Sequence, residues 1–368
     1  MSLKIASVLE LSGFEKYSCV HGNWSTICHA AHLTGDHRII VNNIPYIIPH
    51  LLKRHPRMRT RLHIEGYQHS LQIFDYDEEY LKADLFYSVA NINDKSHPHI
   101  PVKAIRLNGE PTPFRIQPIK NNFLFTSSSS IVYSCLHEKC RNQQITLNGP
   151  LFGCLLLAFH HCFPSEKKNN RYLAPFNVDL AVNMRSRLPQ SSFTSQTVGF
   201  CVSICEIKLK RQLSLHSTPF WTLAKKCMTT TNKALANENE RYTMHVYNNI
   251  LSNSHKFDQF SQFYPEGLTS ELCLSNIGKY PFPCNYNQGQ LRLQGLHVIN
   301  NCSVYYSTAM FFVTCAGDDQ LDFSLSHAME TEEKAQEFLD YYVRLIEACA
   351  IADIGITLEQ LLRSVQSQ

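Results

Sequence analysis

The sequence predicts an α/β protein with mixed sheets, arranged in roughly two halves that each combine strands with amphipathic helices. Short runs of apolar–polar alternation mark strands around Val178, Leu180 and Val182 and three times between Gln290 and Ser326, and Leu272–Gly278 reads as an apolar strand ending in an Asn and a Gly. Helical apolar spacing marks Ile44–Leu52, Ile131–Cys140, Pro150–Cys162, Pro219 to about Asn249, and the segment after Thr331. With 368 residues, 44% hydrophobic and 18% charged, the chain can bury a substantial core as two ordinary domains or one large one.

Taken in order, Asn43 can cap the first helix and Pro45 suits its first turn, whereas Pro49 should kink or end it early. A basic turn follows in Leu52–Leu62, leading into a strand at Thr60–Ile64. Those cations read as a solvated helix end that complements the macrodipole, with ligand steering as the alternative. The region 91–130, with its Pro-rich pieces and four consecutive serines at 127–130, has the chemistry of a loop. No GxSxG surrounds the serines, so they do not form a nucleophile elbow. Leu147-Asn148-Gly149-Pro150 opens a second-half helix, with Asn148 near the cap. Gly295, Asn300-Asn301 and Gly317-Asp318-Asp319 read as turns between the late strands. The helix after Thr331 has that residue as its cap, Glu332 and Glu333 at its positive end, and Ala335, Phe338, Leu339, Tyr342 and Ile346 as its buried face.

The stretch Phe176–Cys205 is the chemical focus. A core strand ends in two arginines, Arg185 and Arg187, followed by a polar loop and a second apolar run opening at Val198-Gly199. Two guanidiniums at the end of a buried strand are costly unless something anionic meets them.

Charge and cysteine usage exclude several classes. The net charge is +3, from 34 basic and 31 acidic residues without a dense basic block, so no nucleic acid is expected as a partner. The fourteen cysteines include no C-x-x-C, which argues against zinc, and no metal is expected. The longest apolar stretch, Leu151–Phe159, is too short for a membrane span of roughly 20 residues. Glu10 interrupts the start where a signal peptide needs an apolar run, so a cytoplasmic protein with reduced thiols is expected.

Four stretches in shared order carry a family resemblance: IIPHLLKRHPRMRTRL (Ile47–Leu62), CRNQQITLNGPLFGCLLLAF (Cys140–Phe159), NVDLAVNMRSRLP (Asn177–Pro189) with Val198–Phe200, and LCLSNIGKYPF (Leu272–Phe282) with the closing EEKAQEFLDYYVRLIEAC helix. Together they resemble the chloramphenicol-acetyltransferase-like superfamily of condensation domains, nearest to alcohol acetyltransferases and polyketide-associated acyltransferases. The resemblance implies two α/β lobes, here 1–130 and 131–368, with a tunnel between them. It implies acyl-CoA as a substrate rather than a bound cofactor, and a small hydroxyl acceptor.

In that family an HHxxxDG motif in the first lobe supplies the general base, a role suited to imidazole. Its aspartate pairs with an arginine on the second-half strand, here Arg185 or Arg187. No HHxxxDG occurs in this chain. His32 and Asp36 match HxxxD literally but precede the first helix, and the pair His160-His161 closes the helix that opens the second half. The family's position for the motif falls in Ile116–Ser134, which contains no histidine. The resemblance therefore implies a first lobe that lacks the catalytic segment and an arginine clasp without its aspartate, in an acyltransferase impaired by that loss or, alternatively, a non-catalytic acyl- or CoA-binding or scaffold relative or a truncated isoform. Asn276 and Gly278 match the strand that lines the tunnel opposite the base.

Overall fold

The computed structural model describes residues 4–11, 27–65, 68–78, 122–164, 172–173, 176–187, 201–209, 212–251, 256, 259, 262, 268–300, 306–317 and 319–366. In chain order the first elements are β1 (Ile5–Glu10), β2 (Ile27–Gly35), α1 (Arg38–Arg54), β3 (Thr60–Glu65), β4 (Gln68–Phe74) and β5 (Asn122–Ser127). Next come α2 (Val132–Asn142), α3 (Asn148–Cys162), β6 (Tyr172–Leu173), β7 (Phe176–Asn183), β8 (Val202–Leu209) and β9 (Leu213–Ser214). The rest are α4 (Phe220–Ala236), α5 (Asn239–Val246), β10 (Leu268–Lys279), β11 (Asn285–Tyr286), β12 (Leu291–Asn300), β13 (Tyr306–Cys315), β14 (Asp322–His327), α6 (Glu332–Ile351) and α7 (Leu358–Gln366).

The principal sheet has six strands in the order β5-β14-β13-β10-β7-β8. β7, β10 and β13 run parallel, and β8, β14 and β5 pair antiparallel with their neighbours. Alternation along β7 and β10 sends Val178, Leu180, Leu272 and Leu274 to a face covered by α2, α3, α4, α6 and α7. α3 is buried continuously from Gly149 to Ala158, as its unbroken apolar sequence requires. On the opposite face β12 crosses β13 and β14, and it also pairs antiparallel with β2. Buried Asp322 fastens this crossing. It accepts from Ser127 Oγ (2.7 Å) and from the backbone N–H of Leu296 (2.9 Å). A smaller sheet, β1-β4-β3, lies in the first part of the chain.

The closing helix forms as the sequence predicts: Thr331 Oγ1 accepts from Lys334 N–H (3.2 Å), and its five expected core residues are all buried. Other expectations need correction. α1 starts at Arg38, ahead of the expected cap at Asn43, and continues through both Pro45 and Pro49 to Arg54, so Pro49 does not end it. Its first free N–H groups are met by Asp36, whose carboxylate accepts from Arg38 N–H (3.1 Å). Asn43 instead donates to Ile39 O (2.6 Å) inside the helix. Residues 122–127 are strand, not loop. Only Leu124 among the three apolar side chains there points into the core, so the alternation was too short to stand out. Gly295 is not a turn but lies inside β12, where a Cβ would stand 3.1 Å from Asp322 Oδ1. The region 219–249 breaks at Asn237-Glu238, where Glu238 takes φ +57° and α5 begins. The second run of the arginine stretch pairs as strand from Val202, while its expected opening at 198–199 lies outside the described residues.

Candidate functional site

The main sheet divides at the carboxyl ends of its central strands. β7 and β10 pair only from Val178–Leu272 to Leu180–Leu274. Beyond that point β7 stays with β8 as far as Asn183, while β10 stays with β13 as far as Lys279. A split between parallel strands exposes side chains at their ends, the common place for ligands in open α/β sheets. The two stretches singled out by the sequence form its lips: Asn183–Arg187 on one side and Asn276–Lys279 on the other.

On the first lip, Arg187 Nη1 meets Glu240 Oε1 at 2.9 Å. Glu240 is wholly buried, in the first turn of α5, where the helix N-terminus favours a carboxylate. β8 fixes that turn through Ser203 Oγ, which donates to the Glu240 carbonyl (2.6 Å), and Arg241 Nη2 donates back to the Arg187 carbonyl (3.4 Å). Glu240 Oε2 accepts no hydrogen bond among the described residues. Arg185 is half-buried, and its backbone N–H donates to Asn183 Oδ1 (3.0 Å). The anion that meets Arg187 is therefore supplied by the second half itself. Sequence reading missed Glu240 because it sits in a polar Asn-Glu-Asn-Glu-Arg run that looks solvated. Only packing of α5 on β8 buries it.

On the second lip, Asn276 Nδ2 donates to Asn148 Oδ1 (2.7 Å) and its Oδ1 accepts from Gly278 N–H (3.0 Å). Gly278 takes φ +88°, and the pairing with β13 shifts register between Asn276 and Gly278. The bulge turns the end of β10, and the left-handed backbone there favours glycine. Asn148, expected as a cap, is the first residue of α3, so the amide pair ties the strand end to the helix start.

His32 and Asp36 stand elsewhere. His32 is exposed on β2 opposite Gly295. Asp36 forks onto Arg38 through Nε (2.8 Å) and Nη2 (2.9 Å), and that guanidinium holds its carboxyl below the usual carboxylate range. Asp36 thus starts α1 rather than clasping Arg185 or Arg187. His161 stacks on Tyr341 with ring centroids 4.0 Å apart. Burial lowers its pKa. His327 is wholly buried and its pKa is likewise lowered by burial, with Nδ1 accepting from Met329 N–H (3.3 Å).

The architecture matches solved structures over nearly its whole length. The condensation domain of the monacolin K polyketide synthase MokA superposes with a TM-score of 0.58 at 9% identity, covering 96% of this chain and all of that one. The chain has the condensation-domain fold. Polyketide synthase associated protein 5 of Mycobacterium tuberculosis gives 0.57 at 11% identity, over 94% of this chain and 99% of that chain. The epimerization domain from the third module of tyrocidine synthetase B gives 0.54 at 10%, over 96% of this chain and 100% of that one. No family model and no curated protein matches the sequence. Identities this low establish the fold of the chain and leave its chemistry to its own residues. Within this condensation-domain fold, the split between β7 and β10 lies between Asn183–Arg187 on one lip and Asn276–Lys279 on the other.

Proposed function

We propose that this chain is an acyltransferase-type condensation-fold protein that binds acyl-CoA, and that its transfer of the acyl group to a small hydroxyl acceptor is impaired. The observation that carries the second clause is the engagement of Asp36 with Arg38 as the start of α1. The one literal HxxxD of the chain is thereby used as local structure, and Arg187 has its own carboxylate in Glu240. With no imidazole positioned for this role among the described residues, transfer keeps only positioning and electrostatic contributions, and general-base assistance is typically worth about 10²–10⁴-fold. Binding does not require that base. The split rim and the fold likeness support retention of an acyl-CoA site.

Thermal unfolding with and without coenzyme A and acetyl-CoA tests the binding clause, because a ligand that binds only the native state raises Tm. An increase at saturating ligand is expected, and an unchanged Tm would remove the acyl-CoA reading. Transfer of acetyl groups to medium-chain alcohols tests the rest. Turnover should be feeble and unchanged in His32→Ala. Robust turnover abolished by His32→Ala would make His32 the base after all.

A further inference from the structure

The basic turn noted in the sequence is left unused by the acyl-transfer reading, and the structure joins it to an unusual helix. Between Asp36 and Glu65 the chain has no acidic residue, yet it has six Lys/Arg and four His. Those six cations exceed the whole chain's net charge of +3, so the remainder is net acidic. Only Leu52 of α1 is fully buried. Tyr46 is 71% exposed and Ile47 47%, with Leu51 and, just past the helix, Met58 also exposed.

At about 100° per residue, Lys53, Tyr46, His50, Arg54, Ile47 and Leu51 fall within one face of roughly 160°. All six are exposed, so the face mixes large apolar groups with cations. The platform beneath is fixed. Arg59 donates from Nε to Phe74 O (3.0 Å) and also to Leu52 O, and Arg61 donates to Gln72 Oε1 (2.7 Å) while lying over the Phe74 ring. These ties hold the turn after α1 against β4 and leave the face of α1 outward.

We propose that α1 and the turn after it form a docking surface for an anionic lipid bilayer. Charge complementarity selects this occupant. Apolar side chains interleaved with cations suit the boundary between acyl chains and headgroups, and a negative surface potential attracts each nearby Lys or Arg. With 17 residues, two prolines and terminal cations, α1 lies on such a surface and does not cross it. Among the described residues no helix is long and apolar enough to span a membrane. The inference is independent of acyl transfer.

Flotation of the full chain with unilamellar vesicles tests it. Binding to phosphatidylcholine–phosphatidylserine vesicles at low salt is expected, with loss in high salt and on pure phosphatidylcholine. The double variant Lys53→Glu/Arg54→Glu should weaken partitioning at least tenfold. Tyr46→Ser/Ile47→Ser should do so too, and circular dichroism checks that these exposed changes leave the fold intact. Absence of binding, equal binding to both vesicle types, or binding that survives both double variants overturns the proposal. Self-association in solution abolished by the same variants, without vesicle binding, would assign the face to a second copy and overturn it as well.

Discussion

Arg187 and Glu240 form an ion pair at 2.9 Å whose carboxylate is completely buried while the guanidinium is one-third exposed. The charge trapped inside is therefore the negative one. Removing the cation leaves a buried carboxylate unpaired, which costs about 3 kcal/mol or more. Removing the carboxylate leaves a guanidinium that can reach water. Arg187→Ala should thus lower the denaturation midpoint more than Glu240→Gln, and Arg187→Met/Glu240→Leu should recover most of the loss. Urea titrations of the three variants check the order. Equal losses for the two single variants would show that Glu240 is solvated in solution.

Asp179 supplies a pH dependence. Its carboxyl is pushed up to about 6 by burial, partly offset by Ser270 Oγ, which donates to it at 2.6 Å. A carboxyl raised in the folded state holds its proton more tightly there than when unfolded. Its contribution is fully present below the unfolded value near 3.8 and is lost as pH rises through about 6. The rise from 3.8 to about 6 corresponds to about 3 kcal/mol. Asp179→Asn keeps an acceptor for Ser270, so it should stabilise the protein above pH 6 and flatten the slope between those values. Guanidinium midpoints across that pH range check it, and a wild-type-like slope in Asp179→Asn would remove Asp179 as its source.

What was legible in the sequence follows from where each signal resides. The closing helix carries cap, charge and apolar face within one continuous stretch, and all of these appear in the structure. The β7 strand was visible because its apolar side chains alternate with polar ones, and β10 because the apolar run Leu272–Leu274, buried at all three positions, ends in Asn276 and Gly278. The partner of Arg187 was not visible, because that ion pair depends on which element packs against which. Glu240 lies 53 residues after Arg187, and nothing local distinguishes it from a solvated glutamate. Gly295 looked like a turn because a glycine required by close approach to Asp322 carries the same letter as one required by backbone angle.

Two glycines separate those causes experimentally. Gly317 takes φ +75°, and a Cβ there would stand 2.5 Å from Gln294 O. Both strain and collision oppose Gly317→Ala, and the atoms met are all Gln294 backbone, which cannot swing aside as a side chain could. Gly295 has no positive φ, and its Cβ would meet the Asp322 carboxylate at 3.1 Å. That carboxylate can shift only by loosening its bonds to Ser127, Leu296 and Gln320. Gly317→Ala should cost about 2–4 kcal/mol and Gly295→Ala about 1–2. Calorimetric Tm values should follow that order, and the reverse would mean that the Asp322 fastening is the stiffer of the two.

Asn276 tests whether the split binds a ligand or merely ends a strand. Asn276→Ala deletes the bond to Asn148 and the acceptor for Gly278 N–H, at a cost of about 1–2 kcal/mol for a half-buried pair. Asn276→Asp keeps the Gly278 acceptor, and it sets a carboxylate near the α3 N-terminus, where the helix dipole favours it. Asn148 can turn its amide to donate, so the ligand-free Tm of Asn276→Asp should stay close to that of the parent. The two readings diverge when coenzyme A is added. A rim that only ends β10 leaves the ligand-induced increment in Tm unchanged in both variants. A rim that lines the acyl-CoA site loses part of the increment in Asn276→Ala, and loses more in Asn276→Asp, whose new charge opposes the phosphates. The second pattern is expected here, because Asn276 stands on the lip of the sheet split opposite Arg185 and Arg187.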